Sequence, residues 1–260
     1  MQAGCPYTRN NLINMNESHN RGIVYLAIGT EYQRYVVNSI SCLRLTGYDG
    51  AIRIVSDISD WSETVTDCEL ILVDNVGEGF GSRYYKTQIY KYSYDFTLYL
   101  DADTIPIAPI EEIWNKLINS EMCMSLDLHP NVEHVIQNSV NDPERRRIEY
   151  DLMISSGLSQ NPFYNSGVIA FRRCRIVENT FAEWHRQWKL FKHEDQLALV
   201  RAISRTGIQI NTLSSIWNHR PRGISSLKEA QNSGIKILHF LSRQRPLMAQ
   251  FDLPNSAAIM

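Results

Sequence analysis

A series of short apolar runs in the first hundred residues constrains the fold more than any other feature of this chain. Continuous apolar runs of this length are typical of strands that are buried on both faces of a sheet. The segments between them carry apolar residues at helical spacing, as Val36, Ile40 and Leu43 do before a stop at Gly47. Strands that alternate with helices in this way predict an α/β fold with a parallel sheet. The predicted strands are "GIVYLAIG" (22–29), "AIRIVSD" (51–57), "ELILVD" (69–74) and "FTLYLDAD" (96–103).

The second half of the chain is less regular. Trp184 and Trp188 recur at helical spacing, which indicates a core stripe rather than a platform for a sugar. Residues 128–162 are polar, and we interpret them as a lid or an excursion; within them, "ERRRIEYD" (144–151) is more typical of a solvated helix face than of an acceptor-side lid. The predicted helices are "RYYKTQIYKYSY" (83–94), "PIEEIWNKLI" (109–118), "VENTFAEWHRQWKLF" (177–191) and "EDQLALVRAISRTG" (194–207), and the predicted strands include "EMCMSLD", "NSGVIAFRR", "IQINTL" and "IKILHFL".

Composition and charge argue against several classes of protein. The net charge of −2 at pH 7 does not suit a general nucleic-acid binder, which usually shows a strong basic excess. Five scattered cysteines without a Cys-x-x-Cys pair indicate reduced thiols, so we expect a cytoplasmic protein. No apolar run is long enough for a transmembrane segment, and the polar N terminus lacks the apolar stretch of a secretory signal. We expect one domain over residues 22–247, with a polar arm at 1–21 and a tail at 248–260.

Two acids directly follow the apolar run "FTLYL". Asp101 and Asp103 stand at i and i+2, so on a strand they point to the same side, and carboxylates that face together repel each other unless a cation joins them. In open parallel sheets, ligands bind beyond the carboxyl ends of the strands. Mg²⁺ and Mn²⁺ prefer oxygen ligands and often complete their shell with phosphate oxygens. The pair therefore suggests a divalent-metal site that accepts a diphosphate, with a turn or cap role for one aspartate as the alternative.

Further polar side chains follow predicted strands or begin predicted helices. A histidine that ends a strand is more often a core residue than a ligand, but here two arginines that could meet phosphate follow it. An asparagine and a serine open another strand, and an Asp-Gln pair begins a helix, where capping is the ordinary role. The histidine is His239, which Arg243 and Arg245 follow. The residues that open the other strand are Asn165 and Ser166, and the pair that begins the helix is Asp195 and Gln196.

Four stretches in this order, "FTLYLDADTIP", "FYNSGVIAFRR", "EDQLALV" and "ILHFLSRQRP", resemble the glycogenin-like retaining glycosyltransferases of family eight. The resemblance covers roughly residues 22–247. It implies a single GT-A (Rossmann-like) domain of the α/β class, with a mixed, mostly parallel sheet flanked by helices. It also implies transfer of a hexose, with retention of configuration, from a nucleoside diphosphate sugar, a UDP-sugar, to an acceptor that the sequence does not name. Mn²⁺ is the implied cofactor, with Mg²⁺ as the alternative.

The same resemblance implies roles for individual residues. Asp101 and Asp103 would bind the metal and the diphosphate, with His239 as the third protein ligand. Asp195 and Gln196 would lie beside the anomeric carbon as the catalytic residues. The implied donor-binding residues are Ala27, Thr30, Tyr32, Arg83, Lys86, Ala102, Asp127, Asn165, Ser166, Ser242 and Arg245.

Elementary chemistry agrees with these roles. Transfer from a nucleoside diphosphate sugar builds charge on the leaving diphosphate, and a metal together with basic side chains stabilises that charge. Retention requires either a carboxylate nucleophile or a front-face attack assisted by the leaving group. Asp195 is the one acid that we nominate for this position, with Gln196 as its rival, and the sequence leaves both mechanisms open.

The chain departs from the glycogenin pattern at two places. Gly29 and Thr30 replace an Asn-Asp pair before Tyr32, which would stack on the base or, as the alternative, be an ordinary aromatic residue at the start of a helix. Lys192 or Glu194 in "FKHEDQ" could alter the choice of sugar, so the resemblance does not transfer the sugar.

The sequence offers less support for two rival functions and for one further metal site. A sugar-phosphate nucleotidylyltransferase would need a glycine-rich loop after the first strand to hold a triphosphate, and "AIGTEYQRY" contains no such loop. A non-catalytic protein that binds sugar nucleotides would keep the acidic pair without turnover. "DLH" (127–129) also pairs an acid with a histidine, but no partner motif supports a second metal there.

Overall fold

The structure is a computed structural model that describes residues 20–61, 65–77, 81–138, 144–224, 226–241, 244–245 and 247–248. The predicted arm up to residue 19, the tail beyond residue 248, and Ser242 with Arg243 lie outside these residues. Two 3₁₀ turns cover Ile89–Tyr92 and Ser215–Trp217. The remaining elements are β1 (Arg21–Ala27), α1 (Thr30–Leu45), β2 (Ala51–Ser56), β3 (Glu69–Leu72), α2 (Gly81–Lys86), β4 (Phe96–Asp101), β5 (Thr104–Pro106), α3 (Glu112–Ile118), β6 (Met122–Asn131), α4 (Val132–Gln137), α5 (Glu144–Ser155), β7 (Pro162–Arg172), α6 (Arg175–Phe191), α7 (Asp195–Thr206), β8 (Ile210–Leu213), α8 (Leu227–Asn232) and β9 (Ile237–His239).

Seven strands form one sheet in the order β3-β2-β1-β4-β7-β6-β8. β1 is parallel to β2 and β4, and β2 is parallel to β3. β7 runs antiparallel to both β4 and β6, whereas β8 is parallel to β6. Only β7 is therefore reversed among the described strands of this sheet, and the predicted mixed, mostly parallel sheet is confirmed.

Helices cover both faces of this sheet, which explains the continuous apolar runs. Successive residues of β1 point to opposite faces: Ile23 belongs to the cluster that includes α1 and α3, whereas Val24 belongs to the cluster that includes α6 and α7. Trp184 and Trp188 of α6 are buried in the second cluster, so their interpretation as core residues is confirmed. Among the described residues, no helix combines the length and the apolar character needed to cross a bilayer.

The reversed direction of β7 places its first residues at the functional edge of the sheet. Leu100, near the carboxyl end of β4, lies opposite Val168. Because β7 is antiparallel to β4, the residues that precede Val168 continue past the point where β4 ends. Asn165 and Ser166 therefore lie at the edge where the parallel strands end.

A second, two-stranded sheet pairs β5 with β9. The strands are antiparallel, with Thr104 opposite His239. The Phe240 N–H donates to the Asp103 carbonyl at 2.8 Å, which extends the pairing by one residue. This short ladder carries His239 to the acidic pair from a distant part of the sequence.

The predicted helix over 83–94 is wrong in its extent. α2 ends at Lys86, and a separate 3₁₀ turn covers Ile89–Tyr92. Thr87 and Ile89 stand at this break, and β-branched residues favour a helix less than straight-chain residues do.

The interpretation of residues 128–162 as an excursion is also wrong for the part that the structure describes. β6 continues as far as Asn131, and α4 and α5 follow it. Apolar residues of α4 and α5 form a small core with residues of β7 and α7, so the segment is packed against the domain. Its buried members are Val132, Val135, Tyr150, Met153, Phe163, Leu197 and Val200.

α5 is not simply a solvated helix. Glu149 of this helix is fully buried and lies 2.7 Å from Nη1 of Arg201 in α7, which is also buried. A run of mixed charges indicates a solvent-exposed helix only if none of its side chains pairs with an opposite charge from another part of the fold. Arg201 supplies that distant partner, which the local sequence of α5 does not reveal.

Candidate functional site

A pocket of about 340 Å³ opens where β4 ends. Three predicted site residues do not line it: Ala27 is buried in the core, Thr30 is exposed at the start of α1, and Asp127 lies behind two residues of the pocket wall. Ser242 is outside the described residues. The predicted residues that do line the pocket are Tyr32, Arg83, Lys86, Asp101, Ala102, Asp103, Asn165, Ser166, Asp195, Gln196, His239 and Arg245.

Asp101, Asp103 and His239 converge just beyond β4. One oxygen or nitrogen atom of each lies within 4.8 Å of the others. The His239 Nε2 lies 3.3 Å from Asp103 Oδ1 and 3.9 Å from Asp101 Oδ2. This nitrogen is buried and has no hydrogen-bond partner among the described residues. Two carboxylates and an imidazole nitrogen suit a divalent cation such as Mn²⁺, and such an ion would satisfy the buried nitrogen.

Basic side chains lie against both carboxylates of this cluster. Lys86 Nζ donates to Asp101 Oδ2 at 2.8 Å, and the Tyr99 hydroxyl donates to Asp101 Oδ1 at 2.5 Å. Arg245 Nε donates to Asp103 Oδ2 at 2.7 Å. Burial would raise the pKa of Asp103, but His239 and Arg245 lower that pKa to about 2. Asp103 is therefore ionised at neutral pH, as a metal ligand must be.

Asp195 begins α7 and lines the same pocket. Its carboxylate accepts the Ser166 hydroxyl at 2.6 Å and lies 3.6 Å from Lys86 Nζ and 3.7 Å from Arg83 Nε. Burial would raise the pKa of Asp195, but Lys86, Ser166 and Arg83 lower it, so the group is ionised at neutral pH. The N-cap of α7 is Glu194, so the alternative of Asp195 as the helix cap is wrong.

Lys86 bridges the two acidic parts of the pocket, because it contacts both Asp101 and Asp195. Burial would lower the pKa of Lys86, but these two carboxylates raise it above the ordinary value. A buried ammonium group is therefore held between the candidate metal cluster and the candidate catalytic acid.

A polar network around Asp127 holds two residues of the pocket wall. Gln196 Nε2 donates to the Tyr164 carbonyl at 2.9 Å and lies 3.4 Å from Asp127 Oδ2. Asn165 Nδ2 donates to the same oxygen at 2.8 Å, and Arg220 Nη2 lies 2.9 Å from each Asp127 oxygen. Burial would raise the pKa of Asp127, but Arg220 and the two amides lower it. Asp127 orients these amides, and its direct contact with a sugar stays a prediction.

Tyr32 and Arg245 form another part of the pocket lining. The guanidinium carbon of Arg245 lies 5.1 Å from the centre of the Tyr32 ring, within the range of a cation–π contact. At the entrance to α1, the Gly29 N–H donates to Asp57 Oδ1 at 2.8 Å, and Gly29 has φ of 92°, which suits glycine. The Gly29–Thr30 departure thus forms the turn from β1 into α1, and stacking of Tyr32 on a base stays a prediction.

Sequence reasoning missed three residues that position this site. Gly167 lies under the imidazole of His239, where a Cβ would come within 2.1 Å of the ring. Asn218 Oδ1 lies 2.8 Å from His239 Nδ1, and Arg220 pairs with Asp127. The glycine is visible in "FYNSG", but its partner is distant in the sequence, and no local pattern marks Asn218 or Arg220.

The "DLH" segment forms no metal cluster. Asp127 is paired with Arg220, while His129 Nδ1 lies 2.9 Å from Nδ1 of His134. Throughout the described ranges, three metal-binding side chains converge only at Asp101, Asp103 and His239.

Comparison with known proteins supports the fold. No protein-family model and no curated protein matches this sequence. Among solved structures, the bifunctional glycosyltransferase WbbM is 16% identical, with a TM-score of 0.61 over 89% of this chain and 47% of its own. The galactosyltransferase LgtC, in complex with donor and acceptor sugar analogues, is 16% identical, with a TM-score of 0.55 over 85% of this chain and 87% of its own. Mouse xyloside xylosyltransferase 1 is 14% identical, with a TM-score of 0.55 over 86% of this chain and 98% of its own.

At such identities the likeness shows the fold alone. This chain spans about half of the WbbM chain but most of the LgtC chain. The chain has the α/β fold of GT-A glycosyltransferases.

Proposed function

We propose that this protein is a metal-dependent glycosyltransferase of the glycogenin-like type, which transfers a hexose from a UDP-sugar to an acceptor with retention of configuration. One observation carries the proposal: two carboxylates and an imidazole that suit a divalent metal, a buried lysine and a buried ionised aspartate face one pocket. The glycosyltransferase fold of the structural neighbours and the four motifs in their order support it. LgtC, whose structure contains donor and acceptor sugar analogues, offers the precedent for both substrates.

The cluster and its basic neighbours suit a leaving diphosphate. A divalent cation held by Asp101, Asp103 and His239 would supply electrophilic stabilisation of the diphosphate oxygens. Lys86 and Arg245 already lie beside these carboxylates and add positive charge at fixed positions. Preorganised positive groups are most effective where charge develops in the transition state, which is the leaving group in this reaction.

Asp195 and Gln196 suit the reacting carbon of the sugar. Asp195 is ionised, so it is able to attack that carbon or to stabilise its positive charge. The Nε2 group of Gln196 is engaged by Tyr164 and Asp127, so the polar atom that this amide has left to offer is the acceptor Oε1. Both residues therefore present electron-rich groups, which suit a carbon that becomes positively charged.

The test is release of UDP from a panel of UDP-sugars without any acceptor, first with Mn²⁺ and then with a chelator. We expect chelator-sensitive release from one sugar, because many transferases slowly hydrolyse their donor. The Asp103→Asn variant should show no release. The matched control is Asp49→Asn, which changes an exposed aspartate in the loop before β2 and should behave like the wild type.

The outcomes of this panel separate the alternatives. If no UDP-sugar released UDP but UDP still bound in a Mn²⁺-dependent way, donor hydrolysis would be contradicted. That result would favour a binding protein or an enzyme that requires its acceptor. The absence of both UDP release and UDP binding would contradict the proposed donor altogether.

A further inference from the structure

A continuous chain of side-chain hydrogen bonds links His239 to Asp127. His239 Nδ1 lies 2.8 Å from Asn218 Oδ1, and Asn218 Nδ2 donates to Asn165 Oδ1 at 2.9 Å. Asn165 Nδ2 then donates to Asp127 Oδ2 at 2.8 Å. All four side chains are buried, so water does not compete freely for these bonds. The chain connects the candidate metal cluster with the residues that hold Gln196.

The direction of every bond in this chain is fixed by its surroundings. The Gly167 backbone N–H donates to Asn165 Oδ1 at 2.9 Å, and a backbone N–H cannot accept. At the other side of the same amide, the ionised Asp127 can only accept. Asn165 therefore has one amide orientation, with its oxygen toward Gly167 and Asn218. This is the kind of network from which amide orientations are assigned.

The orientation of Asn165 determines that of Asn218 and then the protonation of His239. Because Asn165 offers an oxygen, Asn218 must face it with Nδ2 and must present Oδ1 to His239. An oxygen acceptor requires a proton on His239 Nδ1. A neutral imidazole carries one N–H, so its Nε2 is then an unprotonated lone pair directed at Asp101 and Asp103.

We infer that Asn218 is a positioning residue which fixes the metal-binding tautomer of His239, and that Asp127 sets the direction of the chain through Asn165. Metal-bound histidines generally donate their second ring N–H to such a partner, which fixes the ring and its tautomer. The inference rests on the proposed function only in requiring a divalent cation at the cluster, and not on the donor sugar.

Without Asn218 the preference would reverse. Two carboxylates face Nε2, at 3.3 Å and 3.9 Å, and they favour a proton on that nitrogen. A cation would then have to displace this proton before it could bind. In the neutral ring the oxygen of Asn218 opposes this preference, because it holds the single proton on Nδ1.

The first experiment is a titration of the full chain with Mn²⁺ alone, followed by electron paramagnetic resonance of the free ion. Asn218→Leu keeps the approximate size but removes the acceptor, and we expect Mn²⁺ affinity to fall about 10–100-fold. Asn218→Asp keeps an acceptor for Nδ1 but sets a second oxygen against Asn165 Oδ1, so we expect a smaller loss of Mn²⁺ affinity than in Asn218→Leu. Asn232→Leu, at the exposed end of α8, is the matched control and should leave affinity unchanged.

The second experiment reads the tautomer directly in the wild-type protein. With ¹⁵N-labelled histidine, no metal bound and the ring neutral, nuclear magnetic resonance should show the ring proton of His239 on Nδ1. A proton on Nε2 would overturn the inference, even if Asn218→Leu proved unable to fold. Added negative charge in Asn218→Asp could by itself tighten Mn²⁺, and this spectrum does not depend on that effect.

Three results of the titration would also overturn the inference. They are an equal loss of affinity in the Leu and Asp variants, no loss in a folded Asn218→Leu protein, and no Mn²⁺ binding by the wild type. By contrast, a wild-type protein that binds Mn²⁺ but neither binds nor cleaves any UDP-sugar would contradict the proposed function and leave the tautomer test decisive in its own right.

Discussion

The imidazole of His239 lies directly over the Cα of Gly167. A Cβ built on Gly167 would come within 2.1 Å of His239 Cε1, 2.7 Å of Nδ1 and 2.9 Å of Nε2. The nearest atoms belong to the ring itself rather than to the far end of a flexible side chain. β7 thus accommodates the third candidate metal ligand only because residue 167 has no side chain.

Gly167→Ala should therefore displace His239 and weaken Mn²⁺ binding. The ring must move away from the new methyl group, and its Nε2 then leaves the two carboxylates. We expect at least a tenfold loss of Mn²⁺ affinity, within the range known for disturbed ligand orientation, roughly 10–100-fold. Calorimetry of Mn²⁺ binding to the folded protein measures this loss.

Gly22→Ala is the matched control for steric strain. A Cβ on Gly22 would meet the Tyr94 ring at 2.5 Å, but this site lies at the start of β1, away from the pocket. This variant should lose thermal stability while its folded fraction keeps wild-type Mn²⁺ affinity. Equal losses of metal affinity in both glycine variants would show that general strain, and not the His239 contact, is responsible.

Asp103→Asn should abolish Mn²⁺-dependent binding of UDP. The substitution removes one of two anionic ligands and leaves Arg245 without the carboxylate to which it donates. Calorimetric titration of UDP with and without Mn²⁺ measures the effect, and Asp49→Asn serves as the control. Unchanged UDP affinity in the presence of Mn²⁺ would remove Asp103 from the metal site.

Lys86→Met should have opposite effects on the two ligands of the site. Lys86 donates to Asp101, so its charge repels a cation bound to the same carboxylate. At about 4 Å, two unit charges interact by about 4 kcal/mol at an effective dielectric constant of about 20. We expect tighter binding of Mn²⁺ alone but weaker binding of UDP, because the diphosphate loses a positive partner.

Lys91→Met, which changes an exposed lysine in the following 3₁₀ turn, is the control for this charge deletion. Separate titrations with Mn²⁺ and with UDP plus Mn²⁺ give the two affinities. If both affinities fell together in Lys86→Met, Lys86 would be a structural residue rather than a ligand of the diphosphate.

Asp195→Asn should spare UDP binding and slow sugar transfer by orders of magnitude. Asp195 contacts Ser166 and Lys86 and lies beside the cluster without belonging to it. Removal of a group that acts only in the transition state lowers kcat and kcat/KM together. Single-turnover release of UDP from the active donor measures the rate, and wild-type turnover in this variant would exclude Asp195 from the mechanism.

Arg201→Met should destabilise the fold by about 3–5 kcal/mol, since it leaves the charge of Glu149 buried and unpaired. Urea denaturation measures this loss. The double variant Glu149→Met/Arg201→Met should recover most of it, because no buried charge then remains. A double variant no more stable than Arg201→Met would show that the ion pair is not the cause.

The same variant has a predictable dependence on pH. Burial raises the pKa of Glu149, and the charge of Arg201 opposes that rise. In Arg201→Met this opposition is lost, so Glu149 binds a proton more readily in the folded protein than in the unfolded chain. The destabilisation is therefore full above the raised pKa and shrinks as the pH falls toward the unfolded value. Urea denaturation at several pH values should show this trend, and a loss that grew on acidification would contradict it.

The sheet and the edge of the pocket were predictable because they follow from local rules. Buried strands read as apolar runs, and Asp101 and Asp103 stand where such a run stops. Contacts between distant segments were not predictable. The requirement for glycine at residue 167 comes from the position of the His239 ring, and the burial of Glu149 depends on Arg201 from another helix. Each of these features depends on two segments that only the tertiary structure brings together.

The bounds of the site were only partly predictable. Asn165 and Ser166 stand near the start of β7, so they reach the edge where the parallel strands end only because β7 is reversed, and no local pattern in their sequence indicates that reversal. Asp127 lies within β6 and stands behind the pocket wall, because Arg220 and two amides surround its carboxylate. Arg220 reaches it across the fold, and no spacing in the sequence indicates this pair.

The most direct test of the central claim is a crystal structure of the full chain with Mn²⁺ and UDP, with diffraction data collected above the manganese absorption edge. The account predicts an anomalous peak bounded by one oxygen each of Asp101 and Asp103 and by Nε2 of His239, with diphosphate oxygens completing the shell. UDP bound without manganese at this cluster, or manganese bound elsewhere, would contradict the claim that these three residues form the metal site.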